Sequence, residues 1–360
     1  MAEPPTATSG RNAGAPMSAA AIPSLADKVA ALARASLYPD RPTAVEVIQT
    51  HFAFVFLTGH FAYKLKKPIK VHGADLTTTD ARARACREEL RLNQRISAAT
   101  YLDVVPLTVS AAGLVLGGPG PPVDWLVRMR QLPRSQMLDD RLRRNRVRRE
   151  DLAAVVAALA SFYRSAPAEL LPPAQALRGI EARIAEALTE LGRAEFALPA
   201  GAVAAFARQL DEVLPRVRPL LRLRASEGRL REAHGDLRAE HVCLGPPVQI
   251  IDALEISREL RVLDPAEDLA MLAVDLERHG GAWTAPELID AYRQIASDPL
   301  PDALWFFYCG LRAATRAKVA IWHLESPDEY PDAEAWRRTT LTWLACAAAW
   351  LDRCLVTDPV

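Results

Sequence analysis

The 360-residue chain has no apolar run near the roughly 20 residues that cross a bilayer, and no basic-then-apolar leader opens it. A protein that neither spans a membrane nor carries a secretory signal is therefore expected. Excess charge is also missing. Lys+Arg and Asp+Glu are equal at 44 each, which gives no global pull toward nucleic acid or an anionic membrane surface. Paired cysteines are absent as well. Cys86, Cys243, Cys309, Cys346 and Cys354 are odd in number and form no CxxC, so neither a disulfide framework nor a zinc site is expected. They read as reduced core residues of a cytoplasmic protein. No internal repeat, heptad run, GxxxxGK[ST] or GxGxxG occurs. Lysine is scarce: of six, four are Lys64, Lys66, Lys67 and Lys70, and elsewhere the basic residue is almost always Arg. A compact ammonium differs from a guanidinium as a phosphate ligand, so this cluster marks either a phosphate site or a solvated basic strand.

Residues 1–22 are rich in Ala, Pro, Ser, Thr and Gly without apolar period and read as a disordered tail, with Met17 an alternative start to Met1. Residues 24–37 have helical spacing behind a Ser N-cap. Two β-rich runs, 51–57 and 61–66, flank the turn Thr58-Gly59-His60 and predict a hairpin. Residues 79–97 read as a helix with Cys86, Leu90, Asn93 and Ile96 on one stripe and Glu89 beside it. Strands follow at 101–109 and 123–130. After Pro133 helical patterns dominate: 136–145, 149–165, 174–193, 200–226, then 265–280, 285–297, 302–324 and 332–355. A strand-loop-strand interrupts them at 234–251. The expectation is an α+β protein of two lobes, a β-rich N-lobe over 23–132 with one helix packed on it and a mostly helical C-lobe over 133–360.

The segment HGDLRAEHVCLGPPVQIIDALE, residues 234–255, holds Asp236 in a loop and Asp252 at the end of an apolar strand. A carboxylate after Ile250-Ile251 is costly to bury alone and calls for an Arg or a metal ion as partner. Two such aspartates, each beside a short apolar strand, point to a reactive site more than to two unrelated ion pairs.

HGDL resembles the catalytic loop of aminoglycoside phosphotransferases and related small-molecule kinases. IIDALE resembles the metal-binding strand end that follows it, and LDPAEDLA, 263–270, resembles the GDPxxDLA segment that closes the region. More broadly the chain resembles the phosphotransferase half of bacterial bifunctional aminoglycoside phosphotransferase/ATP-binding proteins. LTGHFAYKLKKPI, CREELRLNQRI with YLDVVPL, LVRMRQLP, HGDLRAEHVCL, LRVLDPAEDLAML and RAATRAKVA run in family order over 45–320. Many members carry a further P-loop domain. With no GxxxxGK[ST], the expectation is that this chain ends after the kinase-like part.

The resemblance implies a protein-kinase-like fold and ATP with Mg²⁺ as cofactors. Asp236, with His234 beside it in HGDL, would be catalytic. Asp252 would hold the metal. Lys64 would meet the α/β-phosphates with Lys66 as alternate, and Glu89 would pair with that lysine, with Glu88 as the fallback. Met129 and Gln131, within MRQL (129–132), would form the hinge that meets adenine, and Gly59 the turn that covers the phosphates. Asp264 and Asp268 would brace the loop at a helix N-terminus. One position departs: the family usually places Asn five residues after the catalytic aspartate, and here it is His241. Imidazole suits Mn²⁺ or Zn²⁺ better than Mg²⁺, so His241 is a candidate metal ligand that opens Mn²⁺ as an alternative; otherwise it hydrogen-bonds phosphate, the site holds one metal, or activity is weakened.

The basic run 139–150 lacks interleaved aromatics and reads as a solvated helical face. Arg312, Arg316 and Lys318 on a late helix stand open between an anion site and salt bridges, and His72, His279 and His323 receive no role. Three readings compete: an ATP-dependent phosphotransferase acting on a small-molecule hydroxyl, a nucleotide-binding regulatory pseudokinase suggested by His241, and a helical protein-binding scaffold. Neither the acceptor nor the oligomeric state is legible.

Overall fold

The computed structural model describes residues 23–71, 74–111 and 113–357. The expected tail, Met17 and His72 lie outside them. Six strands form one curled antiparallel sheet. In spatial order they are Glu46–Gln49, Ala53–Leu57, Phe61–Lys66, Pro122–Arg130, Tyr101–Ser110 and Gly113–Leu116. The predicted hairpin forms with Val55 opposite Lys64 and Ala53 opposite Lys66.

Strand alternation divides the sheet into two faces. Along FAYKLK, Tyr63 and Leu65 join Leu32, Tyr38, Phe56, Leu107 and Leu126 in a core beneath the short helix Leu25–Leu32. That helix begins at Ser24 in a capping box with Asp27 and ends earlier than the sequence pattern suggests, giving way to a 3-10 turn at Ala35–Leu37. Ala62 belongs to the opposite face, clustered with Cys86, Tyr101, Val127 and Met129, and the same alternation puts Lys64 and Lys66 there too. The long helix Thr79–Ser97 packs on this face, so the period of two that builds the core also aims both lysines at it.

The remainder is mostly helical around one large core. Its helices include Leu138–Arg143, Arg149–Ser165, Pro173–Leu191, Ala200–Ser226, Pro265–Arg278, Thr284–Ala296, Asp302–Ile321 and Ala333–Val356. Between them lie the short antiparallel pairs Val242–Cys243 with Gln249–Ile250, and Arg231–Glu232 with Val262–Leu263. This is a bilobal α+β fold, as the sequence pattern predicts. The basic run is an exposed face whose arginines are paired: Arg143 meets Asp139, Arg144 Asp140, Arg148 Asp151 and Arg149 Glu287. No helix among the described residues is long and apolar enough to cross a membrane.

Candidate active site

The site lies where the lysine-bearing strand, the helix Thr79–Ser97 and the segment 234–255 meet. Glu89 is fully buried and divides its carboxylate between two lysines: Lys64 Nζ is 3.0 Å from Oε1 and Lys66 Nζ 2.5 Å from Oε2. Lys64 also binds Asp252, and Lys66 also binds Glu255. Burial alone would lower the Lys64 ammonium's pKa, but Asp252 and Glu89 beside it hold it well above the ordinary lysine range. Glu88 faces the other way, onto Arg91 and Arg261, so Glu89 is the lysine partner.

Asp252 sits in the left-handed region, φ 66°, where a side chain other than glycine is strained. The helix Thr79–Ser97 and the strand after it hold it there. Tyr101 Oη accepts the Asp252 N–H at 3.0 Å and Asn93 Oδ1 accepts the Ala253 N–H at 3.0 Å. Ser97 Oγ exchanges two 2.7 Å bonds with the Ile250 N–H and carbonyl. Burial pushes the Asp252 carboxyl up in pKa, but Lys64 and then His241 outweigh it, and the group is held far below the usual carboxylate range. Its side chain keeps 38% exposure, so it can meet a ligand from outside.

Asp236 is the other accessible carboxylate, its side chain 29% exposed, with Arg238 Nε at 3.1 Å and Arg316 Nη1 at 4.0 Å. Burial opposes its charge, but Arg238 leads a group of cations that keep it ionised far below the usual range. His241 links the two aspartates. Its Nδ1–H donates to the Asp236 carbonyl at 2.8 Å, which leaves Nε2 as an acceptor facing Arg238 Nη2 at 3.0 Å and Asp252 Oδ2 at 3.6 Å. Burial, reinforced by Arg238, lowers the imidazole to about 4, so it is neutral at physiological pH.

His234, expected beside Asp236 as a catalytic group, is instead completely buried, with Nε2 against the Ile251 carbonyl at 2.8 Å, so its ring ties the loop to the strand before Asp252 and does not face solvent. Asp268 braces the same loop, accepting the His234 and Gly235 N–H groups at 2.9 Å each and the Tyr163 hydroxyl at 2.8 Å. Gly235 has φ +85°, and a Cβ there would lie 3.0 Å from the Leu254 side chain, so the loop requires glycine. Asp264 caps the helix Pro265–Arg278 and pairs with buried Arg224.

Gly59 also differs from expectation. Its N–H donates to Gln131 Oε1 at 2.8 Å, and the Gln131 N–H donates to the His60 carbonyl at 2.9 Å. The turn 58–60 is therefore tied to Gln131 at the end of the strand Pro122–Arg130, away from Lys66. Register puts a different turn, 50–52, at the Lys66 end, where the Lys67 N–H donates to the Phe52 carbonyl. Met129 is buried between Ala62 and Tyr101 near the end of its strand, and Gln131 follows it as a link to the hairpin turn.

Asn93, Ser97, Tyr101 and Glu255 are site residues that sequence reasoning missed. The first two carried a signal: Glu89, Asn93 and Ser97 recur every four residues, a polar stripe on a buried helix face.

No group of three or more His, Cys, Asp or Glu residues among the described ones is arranged to hold a metal by protein ligands alone. Mg²⁺ bound with a nucleotide needs only one or two carboxylates together with phosphate and water. Asp252 and His241 Nε2, 3.6 Å apart, are two adjacent donors once Arg238 releases the imidazole, and the Lys64 and Lys66 ammoniums, shared among Glu89, Asp252 and Glu255, lie beside them. The residues fit a metal–nucleotide pair.

With the geometry in view, comparison with known proteins gives the class. A choline/ethanolamine kinase family protein from Mesorhizobium loti superposes with TM-score 0.55 at 16% identity, covering 91% of this chain and 99% of that one. A choline kinase from Cryptosporidium parvum Iowa II superposes with TM-score 0.50 at 12% identity, covering 92% and 98%. The chain has the protein-kinase-like fold, in the form seen in choline and ethanolamine kinases. In sequence it is 33% identical over 279 residues to an uncharacterized protein of Mycobacterium tuberculosis, covering 76% of this chain and 54% of that protein. An uncharacterized protein of Mycobacterium bovis matches to the same extent. The chain thus spans about half the length of the curated relatives it matches. No protein-family model matches it.

Proposed function

We propose that the protein is an ATP-dependent phosphotransferase that moves the γ-phosphoryl group to a hydroxyl of a small molecule. The observation that carries this reading is the convergence of Lys64, Glu89, Asp236, His241 and Asp252 on one seam between the lobes, with both aspartates ionised and accessible. The two superposed structures bear the names of kinases for small alcohols, which agrees with it.

Bound Mg²⁺–ATP would supply the phosphoryl group and offset its charge, with Asp252 and His241 at the metal and Lys64, backed by Lys66, at the phosphates. Glu89 holds both ammoniums in place. Asp236 would accept a hydrogen bond from the acceptor hydroxyl and aim its oxygen at phosphorus. The acceptor's hydroxyl oxygen would bond to the γ-phosphorus as the bond to the leaving ADP oxygen breaks, and its proton would pass by way of Asp236 to the transferred phosphoryl group or to water. Because Arg238 and its neighbours hold Asp236 far below the usual carboxylate range, it orients and polarises more than it stores a proton. A loose phosphoryl transition state asks for little more.

His241 supports a second reading, a nucleotide-binding regulatory protein of weak or no turnover, because the resembling kinases usually carry Asn there. One experiment separates the two. Asp236→Ala should abolish phosphotransfer while nucleotide affinity is kept. A wild type that binds ATP but turns over no acceptor supports the regulatory reading, and an unchanged rate in Asp236→Ala rules out this mechanism.

A further inference from the structure

The late helix Asp302–Ile321 carries three cations with different surroundings. Arg312 is buried, its Nε paired in charge with Glu267 at 3.1 Å and its Nη1 3.4 Å from the Gly235 carbonyl, while Nε and Nη2 make no hydrogen bond. Lys318 meets Glu186 at 2.8 Å and lies 4.8 Å over Trp322. Arg316 is the open one: its side chain is 20% exposed against 4% for Arg312, its nearest ion-pair oxygen, Asp236 Oδ1, is 4.0 Å away, and its Nε is buried with no hydrogen-bond partner. Burial lowers its pKa, and Asp236, Asp275 and Glu240 do not fully offset that against Arg238. A guanidinium with an unmet donor beside the catalytic loop is poised for an anion.

The same surroundings disfavour a cation. Recognition of an ammonium uses open aromatic faces and spare carboxylates. Trp343, beside Arg316, already has the Arg316 guanidinium 5.8 Å and the Arg278 guanidinium 4.5 Å from its ring centre. Of the nearby acids, Glu240 is bound by Arg238 and Asp275 accepts the Ala239 N–H at 2.8 Å.

Resting on the phosphotransferase reading, we propose that the acceptor carries an anionic group, a carboxylate or a phosphate, beside the hydroxyl that is phosphorylated, and that Arg316 binds it. This sets the acceptor apart in charge from choline and ethanolamine, the alcohols named for the superposed structures.

The test uses the full chain saturated with a non-hydrolysable ATP analogue and Mg²⁺. Glycerate and glycerol 3-phosphate serve as anionic alcohols, and choline and ethanolamine as cationic ones, each titrated by calorimetry. The anionic probes should bind and the cationic ones should not. Arg316→Gln should weaken the anionic probes about 10-fold to 100-fold, the worth of a charge-assisted hydrogen bond, with Arg316→Lys in between. Affinity for the ATP analogue should stay unchanged in both variants. Binding of choline or ethanolamine in place of the anionic probes, failure of both anionic probes, or their indifference to Arg316→Gln overturns the proposal. A loss in Arg316→Gln confined to the ATP analogue, with ADP unaffected, shows that Arg316 reads the γ-phosphate and also overturns it. If no nucleotide binds, the phosphotransferase reading fails by itself. The anionic probes titrated into the free protein then still decide whether Arg316 holds an anion.

Discussion

At the scale of the residue, Glu89 is the pivot of the site. One buried carboxylate satisfies two buried ammoniums, and each lysine reaches on to a second acid, Asp252 or Glu255. Glu89→Ala leaves Lys64 and Lys66 adjacent with that shared charge removed. Breaking a buried pair costs about 3 kcal/mol or more, and because each lysine keeps one partner the lower end is expected. Urea unfolding of Glu89→Ala against wild type checks this, and a loss within error would mean that the outer acids suffice. Much at this scale was legible beforehand. Alternation along FAYKLK puts Lys64 and Lys66 on one face, and Glu89 rather than Glu88 follows from the apolar stripe. The place of His234 was not legible, because its motif marks a reactive loop but not which ring points inward. That Gly59 lies at the end of the strand away from Lys66 was not legible either, because a hairpin turn read alone does not say which other turn lies beside the lysines.

The decisive element is the helix Thr79–Ser97. It reaches the lysines through Glu89 and the strained turn at Asp252 through Asn93 and Ser97, so one rigid rod sets both halves of the site. Asn93 also donates to the Glu89 carbonyl at 2.8 Å, which locks its amide. Asn93→Ala leaves the buried Ala253 N–H without its acceptor, at a cost of about 1–3 kcal/mol. The loss should also release Asp252 from its left-handed backbone and lower nucleotide affinity. Parallel denaturation and nucleotide titration of this variant check both, and a stability loss with intact nucleotide binding would show that Tyr101 and Ser97 hold the turn alone. Helix positions after Pro133 followed closely from apolar period and caps. The short pairs near the catalytic loop were less sharply bounded, since two-residue strands carry almost no periodic signal.

At the scale of the molecule, the lobes meet through contacts that no local pattern announces. Glu329 of the helical lobe binds Lys67 and Gln49 of the sheet, partners 262 and 280 positions away in the chain. Glu232 gathers Arg91, Arg95 and Arg261 into a second bridge between the helix Thr79–Ser97 and the catalytic region. These bridges, with the Lys64–Asp252 and Lys66–Glu255 pairs, hold the lysine-bearing sheet against the segment 234–255, an arrangement that the proposed phosphotransferase would need. The direct test of that account is calorimetric titration of ATP with Mg²⁺, with Mn²⁺ and without metal, into wild type and Asp252→Ala. Metal-dependent binding that Asp252→Ala abolishes is the predicted result, and a preference for Mn²⁺ would mark His241 as the second ligand. Binding untouched by Asp252→Ala, or no binding with any metal, would contradict it.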